Sequence, residues 1–353
     1  MKKLQIIMMI LAVLFLCACE NQLTPEANSG KRKSGISAGG SDGKVNISLA
    51  CWNTQTFFDA VSDGCEYKDF QRPEKWNKDK YAKRLDSLCE IMTLISSDIM
   101  VLVEIENEAV VQDIANRLAG GDWDKKKQWQ YVCFAKESGA AIGCAVFSRF
   151  ELFDMKVHSL DVRTQKTSQP SSRPLIQVSA RVGEKEVVIF VNHWKSKSGG
   201  EEETEIWRDW QEAMLAEKMR ECAAEGGSVG TETERLIIAC GDFNRSAEDF
   251  IIRADRKSGT NSILRGSDGE TLKLYTPWID MNGKTDLEKG SYYYKDEWER
   301  IDNIFSADRD AVLRFQAVNI PPLVDEDGIP QSYKLYNESG YSDHLPLKCV
   351  IQF

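Results

Sequence analysis

The sequence predicts one α/β domain running from Val45 to Phe353, about 310 residues, at the large end of the usual domain range. Three observations lead there. Strand-like and helix-like segments alternate along the chain, no internal repeat is present, and no linker interrupts the pattern after residue 45. Composition agrees: 42% hydrophobic and 28% charged residues are ordinary for a globular chain and supply enough apolar surface for a substantial core. The formal charge of −10 repels polyanions in bulk, so any nucleic-acid contact has to rest on a local basic patch.

Val45–Asn53, VNISLACWN, alternates as a strand does. In KYAKRLDSLCEIMTLI, residues Tyr81, Leu85, Leu88, Cys89, Met92 and Ile95 fall at helical spacing, so one helix face packs on a sheet. Ile99–Val103 is a continuous apolar run, a strand buried on both faces, and it ends in acids. YVCFA, AIGCAVFSR, PLIQVSARV and KEVVIFVNHWK read as further strands. EEETEIWRDWQEAMLAEKMRECAAEGG reads as a helix, with acids in its first turn and glycines at its end. RLIIACGDFN is a buried strand followed by a helical turn and a loop-rich region. ERIDNIF and LKCVIQF close the series as strands, with residues 306–341 between them as loop.

The N-terminus has a different character. MKK is a basic n-region, and the apolar run after it is too short for a comfortable membrane span. It ends in LCAC, which resembles a bacterial lipoprotein signal: residues 1–18 as signal peptide and Cys19 as the lipidated residue. Cleavage would remove Lys2 and Lys3 and take the formal charge from −10 to −12. Residues 19–44 then form a Gly/Ser-rich tether that holds the domain, exported, at a periplasmic or surface face of a bacterial membrane. Ten cysteines in an exported chain raise the question of disulfides. Cys51, Cys133, Cys144, Cys240 and Cys349 lie in apolar strands, where a free thiol behaves as a small hydrophobe, so mostly structural thiols are expected.

The recurring signal is where the strands stop. They end at Asn53, at Glu104, at Asn192 and His193, and at Asp242 and Asn244; Asp302 sits inside an apolar strand, and Asp343 and His344 precede the last one. In sheets flanked by helices, ligands bind beyond the strand ends. Alternation along an extended chain puts Asp242 and Asn244 on one side. An Asp buried in RIDNIF needs a partner to offset its desolvation. Taken singly, a Glu after a strand or an Asp-x-Asn is a solvated turn or a helix cap. Histidine shifts the balance, because two of only three histidines stand in these segments; the third, His158 in MKVHSLDV, has no polar company and reads as structural. The ligand set is hard oxygen, suited to Mg²⁺ or Mn²⁺.

VEIEN, NHWKSK, GDFN, ERIDNIF and YSDHLP, in that order, resemble the endonuclease/exonuclease/phosphatase family, the DNase I-like fold, and are most similar to its secreted endonuclease-type members. The resemblance implies a four-layer α/β sandwich, two mixed sheets face to face with helices outside, and a site at one end. It implies metal ligation by Glu104, with Asn53 beside it and Asp343 completing the metal environment or holding a neighbouring ligand. Asp242 would orient or deprotonate the attacking water, Asn244 would donate to a non-bridging oxygen, and Asp302 would pair with His344, with His193 across the phosphate. Some members carry a second acid or amide two residues after the first-strand Asn; here that position is Gln55, which favours one metal over two. The expected protein is a monomeric Mg²⁺-dependent phosphodiesterase acting on nucleic acid, with Lys195, Arg173, Arg208 and Trp298 binding backbone and bases. A phosphatase or phosphodiesterase of a lipid or inositol phosphate is the alternative, and a binding lipoprotein without chemistry is the third reading. The third predicts erosion of the catalytic set, which is intact.

Overall fold

The structure, a computed structural model, describes residues 7–10, 44–120, 128–162, 169–225, 235–284 and 289–352. In chain order the elements are β1 (Ile7–Ile10), β2 (Asn46–Phe57), α1 (Lys78–Ile95), β3 (Ile99–Ile105), α2 (Glu108–Gly120), β4 (Tyr131–Ala135), β5 (Gly143–Ser148) and β6 (Glu151–His158). There follow β7 (Leu175–Val182), β8 (Lys185–His193), α3 (Glu201–Glu225), β9 (Arg235–Asp242), β10 (Ile251–Asp255), β11 (Thr260–Arg265) and β12 (Thr271–Leu274). The chain closes with β13 (Tyr292–Tyr294), β14 (Glu297–Glu299), β15 (Asp302–Ser306), β16 (Val312–Ala317) and β17 (Leu347–Gln352).

Two large mixed sheets result. One has the order β1-β4-β5-β3-β2-β17-β16 and the other β15-β9-β8-β7-β6; β2–β3 and β8–β9 are their parallel pairs. Period-2 alternation explains how the sheets face one another. Val187, Ile189 and Val191 of β8 and Leu236, Ile238 and Cys240 of β9 enter the core shared with the seven-stranded sheet. Their neighbours Val188, Phe190, Ile237 and Ala239 point the other way, against Leu215, Ala216, Met219 and Cys222 of α3. Helices α1 and α2 cover the far side of the first sheet, through Leu85, Leu88, Met92, Val110, Ile114 and Leu118. The expected four layers are therefore present.

Three differences from the sequence reading have local causes. Helix α2 was not expected, although Val110, Val111, Ile114 and Leu118 bury one face and Asn107 caps it by accepting from Val110 N at 3.0 Å. The loop-rich stretch after β9 contains a small three-stranded sheet, β10-β11-β12, and the 306–341 segment contributes β16. Strand β1 lies within the segment read as outside the fold, paired antiparallel with Tyr131–Phe134. An open sheet edge accepts any extended segment that satisfies its backbone groups, and cleavage before Cys19 would return that edge to β4. The rest of the signal, Cys19 and the tether through residue 43 lie outside the described residues. The eight cysteines described are all free thiols, seven of them buried.

Candidate active site

The register of the five-stranded sheet builds the first half of the site. His193 of β8 stands opposite Asp242 of β9, and Asp242 opposite Asp302 of β15. Each is an even number of residues from an inter-sheet core residue (Val191, Cys240, Ile304), so all three side chains face the other sheet in one row. The row requires β8 and β9 to approach closely at Gly241. Its φ is +132°, and a Cβ there would stand 2.0 Å from the Asn192 carbonyl oxygen. Gly241→Ala is expected to cost ~3 kcal/mol or more, because the obstacle is backbone in a neighbouring strand. A chemical denaturation curve measures it.

Asp242 and Asn244 do come together, but not by strand alternation. Strand β9 stops at Asp242, and Asn244 lies in a turn at φ +47°. The turn is fixed by Asn244 N donating to Asp242 Oδ1 at 2.8 Å, while Asn244 Nδ2 donates to the Trp194 carbonyl at 3.2 Å. A short polar side chain that tolerates the left-handed region is what makes this turn possible.

The seven-stranded sheet supplies the other half. Asn53 is opposite Val103 across β2 and β3, so simple alternation would send Glu104 to the helix side of the sheet. A bulge reverses that direction: Glu104 has φ +67°, and Gln55 and Thr56 alongside it have φ +54° and +51°. Thr56 N then donates to Glu104 Oε2 at 2.5 Å. Asn53 Nδ2 donates to both Glu104 Oε1 at 3.2 Å and Asp242 Oδ2 at 3.0 Å, joining the two sheets at the site. Arg84 of α1 holds the bulge from below, its guanidinium donating to the carbonyls of Thr54, Gln55 and Thr56 and stacked 3.9 Å from the Tyr333 ring. Arg84 escaped the sequence reading, although a charged residue inside the buried stripe of a helix was a visible signal. Gln55 spends its amide on the backbone of Tyr333, to which Oε1 is bonded at 2.7 Å, and is not directed at Glu104.

The segment before β17 completes the set. His344 Nδ1 lies 2.7 Å from Asp302 Oδ2, which also accepts from Ser291 Oγ at 2.7 Å. Ser342 and Trp52 fasten the segment to β2, through Ser342 Oγ to the Asn53 carbonyl at 2.6 Å and Trp52 Nε1 to the His344 carbonyl at 2.9 Å. Ser291 and Ser342 were not singled out from sequence, where single serines in loops carry no signal.

Electrostatics separates the titratable groups. Burial alone would lower His344, but the Asp302 carboxylate overrides it and holds the imidazole well above the usual histidine range. Burial, then the positive charges of Arg173 and His344, keep His193 well below that range. Its Nε2 lies 3.5 Å from Glu104 Oε1 and 3.9 Å from Asp242 Oδ2. Its Nδ1 is buried with no partner among the described residues. Burial and the nearby Asp302 charge push Asp242 up to about 7, and burial and Asp343 raise Glu104. One histidine is thus charged and one neutral, flanking a carboxylate poised near neutrality; diverging pKa values in one cleft are the mark of acid–base work.

The proposed substrate contacts fare unevenly. Arg173 is half-buried beside His193, and its charge acts on His193 and Glu104. Lys195 bends back to the carbonyls of Ser196 and Ser198 at 3.2 and 3.3 Å. Arg208 does not face the cleft: it is buried, and every guanidinium nitrogen is spent on Glu201, Thr204, Glu205 and the Lys195 carbonyl. It straps the Lys195 loop to α3. Trp298 is opposite Tyr293 in the β13–β14 ribbon, on the face away from Tyr292 and Tyr294. The aromatics on the His344 side are those two tyrosines: Tyr292 lies 4.6 Å from the His344 ring, and Tyr294 stacks on Tyr292 at 6.1 Å. His158 stands apart from the site, on β6, but it does have polar company: Nε2 is 3.0 Å from Gln177 Oε1.

A two-sheet sandwich whose strand ends carry this set of carboxylates, amides and paired histidine defines a phosphate-ester hydrolase. The chain belongs to the endonuclease/exonuclease/phosphatase family, whose model matches residues 48–314. His344 lies beyond that match, and its place in the site rests on the geometry above. Truncated Caenorhabditis elegans TDP2 shares the fold, with 16% identity, a TM-score of 0.53, and coverage of 87% of this chain and 97% of that one. An endonuclease/exonuclease/phosphatase family protein from Bacteroides thetaiotaomicron gives 14% identity, a TM-score of 0.51 and coverage of 88% and 98%. ANGEL2, a 2′,3′-cyclic phosphatase, gives 12%, 0.53, 88% and 95%. A search of the curated proteins finds no match.

Proposed function

We propose that this protein is a divalent-metal-dependent, endonuclease-type phosphodiesterase acting on nucleic acid outside the cytoplasm, held at the membrane through Cys19. The observation that carries the phosphodiester reading is the row His193–Asp242–Asp302 with His344 bonded to its end. The observation that favours nucleic acid is the Tyr292–Tyr294 stack leading out from His344, with Tyr294 51% exposed. Base stacking on such a platform is independent of sequence.

Glu104, Asn53 and Asp343 would hold Mg²⁺ or Mn²⁺. The two carboxylates fit, since Glu104 and Asp343 repel one another beside a neutral imidazole and make a hard, anionic group. Asn53, whose Oδ1 accepts from Gln55 N at 3.0 Å, would serve by holding Glu104 through Nδ2. Such a cation, when bound, neutralises charge on a phosphoryl oxygen. The chain's own residues do the rest. Asp242, near neutrality, orients the attacking water and takes its proton. His344, held cationic by Asp302, donates from Nε2 to the phosphate as negative charge builds there. Asn244, whose Nδ2 gives one proton to the Trp194 carbonyl at 3.2 Å, has a second amide proton to offer the same oxygen. The P–O bond opposite the attacking water breaks, the leaving oxygen taking a proton from solvent water while Asp242 holds the one released by the nucleophile. His193, kept neutral by burial, can accept or donate a hydrogen bond on the far side of Asp242 without adding charge.

The purified protein incubated with supercoiled plasmid and Mg²⁺ is expected to nick it, and chelator or Glu104→Gln should abolish the nicking. Tyr294→Ala should weaken single-stranded substrate by ~1–3 kcal/mol, seen in KM. Hydrolysis of inositol phosphates or phospholipids without nicking would replace this reading by the small-ester one. Silence on all substrates would leave a binding protein. Cys19→Ser should move the protein from the membrane to the soluble fraction.

A further inference from the structure

A second group of acids lies next to the β3 terminus. The loop after β2, FFDAVSDGCE, folds back so that Asp63 and Glu66 stand beside Glu106, two residues beyond Glu104. One carboxylate oxygen from each of the three lies within 4.8 Å of the others. The loop is shaped by its own acids. Glu66 Oε1 accepts from Asp63 N at 2.5 Å, and Oε2 accepts from Gly64 N and Ser62 Oγ, both at 3.0 Å. Asp63 Oδ1 accepts from Cys65 N at 2.8 Å, and Asp59 N donates to Glu106 Oε2 at 2.5 Å. These bonds account for the loop's shape but leave one atom unexplained. Glu106 is 1% exposed, and its Oε1 is buried with no hydrogen-bond partner among the described residues.

A buried, unpartnered carboxylate oxygen in a group set beside two further acids is costly unless a cation or a proton meets it, and burial with the neighbouring acids pushes Glu106 up to about 8. Lys136 acts on Glu106 through space, without a hydrogen bond to Oε1, and one ammonium does not balance three carboxylates. Asp59 is otherwise engaged, by Val61 N at 2.5 Å and Asn107 Nδ2 at 3.0 Å. We propose that Asp63, Glu66 and Glu106 form a Ca²⁺ site, separate from the catalytic centre, that ties the 58–66 loop to the end of β3. The three ligands are all carboxylate oxygen, and the adjacent Cys65 thiol, hydrogen-bonded to Asp63 and held above its ordinary value, is not offered as a thiolate, which disfavours zinc and copper. A chain-bound set of carboxylates on a short loop suits the larger, geometrically tolerant Ca²⁺ better than Mg²⁺, which keeps its waters and demands an octahedron. The site is placed to matter: Glu106 directly follows the strand that carries Glu104, and the Tyr67 side chain, next after Glu66, is hydrogen-bonded to Arg173 beside His193.

The test uses the full chain carrying Glu104→Gln, so that the catalytic centre has lost its principal carboxylate. Ca²⁺ at about 100-fold above its dissociation constant should raise the thermal midpoint by roughly 2–5 °C, and Mg²⁺ at the same concentration should do less. Tb³⁺ should show luminescence sensitised by Tyr67 and Trp76, displaced by Ca²⁺. Adding Asp63→Asn, an exposed position whose loss does not threaten the fold, should weaken Ca²⁺ at least tenfold and remove the shift; Glu66→Gln should do the same. No Ca²⁺-dependent shift in the Glu104→Gln protein would overturn the site. So would a shift that survives Asp63→Asn, or an equal one from Mg²⁺.

Discussion

Asp302→Asn is expected to lower kcat by about 10²–10⁴-fold, the range for losing a positioned acid–base group, with KM little changed and the fold retained. Asp302 is 3% exposed, and its work passes through His344 Nδ1 at 2.7 Å. Replacing the carboxylate by an amide keeps the shape and an acceptor oxygen but removes the charge that overrides burial. His344 then falls toward or below the ordinary histidine value and is largely neutral at the working pH. The alkaline limb of the pH–rate profile, which in the parent reports the raised His344, should move to lower pH. The stability change has a defined sign. A histidine whose folded value is raised contributes stability that is complete below its unfolded value near 6.5 and is lost as pH rises through the folded value. The denaturant midpoint of Asp302→Asn should therefore fall most below pH 6 and approach the parent at alkaline pH. A proportional loss at every pH, with no movement of the alkaline limb, would mean that Asp302 only fills space.

The difference between what was legible in the sequence and what was not follows from how each residue is positioned. His193, Asp242 and Asp302 sit in regular strands, where a period of two and a fixed register decide direction, so apolar runs ending in polar residues announced them. The partner of Asp302 was also legible, because an acid inside RIDNIF has to be compensated. Glu104 was found by motif, but its direction was not, since a left-handed bulge contradicts the alternation that any pattern assumes. The residues that sustain the bulge, Thr56 and Arg84, come from a strand irregularity and a helix that adjoin it only in three dimensions. Arg208 shows the converse error. An arginine on an amphipathic helix near a lysine-rich loop suggests phosphate binding, but burial of its guanidinium among carbonyls turns it into a strap. Trp298 and the tyrosines lie in one short ribbon, and only its register tells which ring faces His344.

The second large effect joins activity to stability with opposite signs. Asp242→Asn should lower kcat by about 10²–10⁴-fold through loss of the base, and the acid limb of the profile should vanish with it. Without metal, burial and the Asp302 charge push Asp242 up to about 7, and a bound cation would lower it and carry the acid limb of the active, metal-loaded parent below that value. The same resistance makes the ionised Asp242 a burden on the fold. Between its unfolded value near 4 and about 7, the folded chain holds a proton that the unfolded chain has released, so stability falls as pH rises through that window. Above the window the penalty is complete, and below it there is none. Asparagine carries no such charge, yet it can keep one side-chain oxygen as an acceptor for Asn53 Nδ2 or for Asn244 N. Melted in chelator at pH 8, the inactive variant should be more stable than the parent, and the two should converge near pH 4. Saturating Mg²⁺ should narrow the gap at pH 8, because a cation compensates in the parent the charge that the variant lacks. A variant less stable than the parent at pH 8 would show that Asp242 is held in a compensated pair, and that the carboxylate strained by its surroundings is not the source of the reactivity.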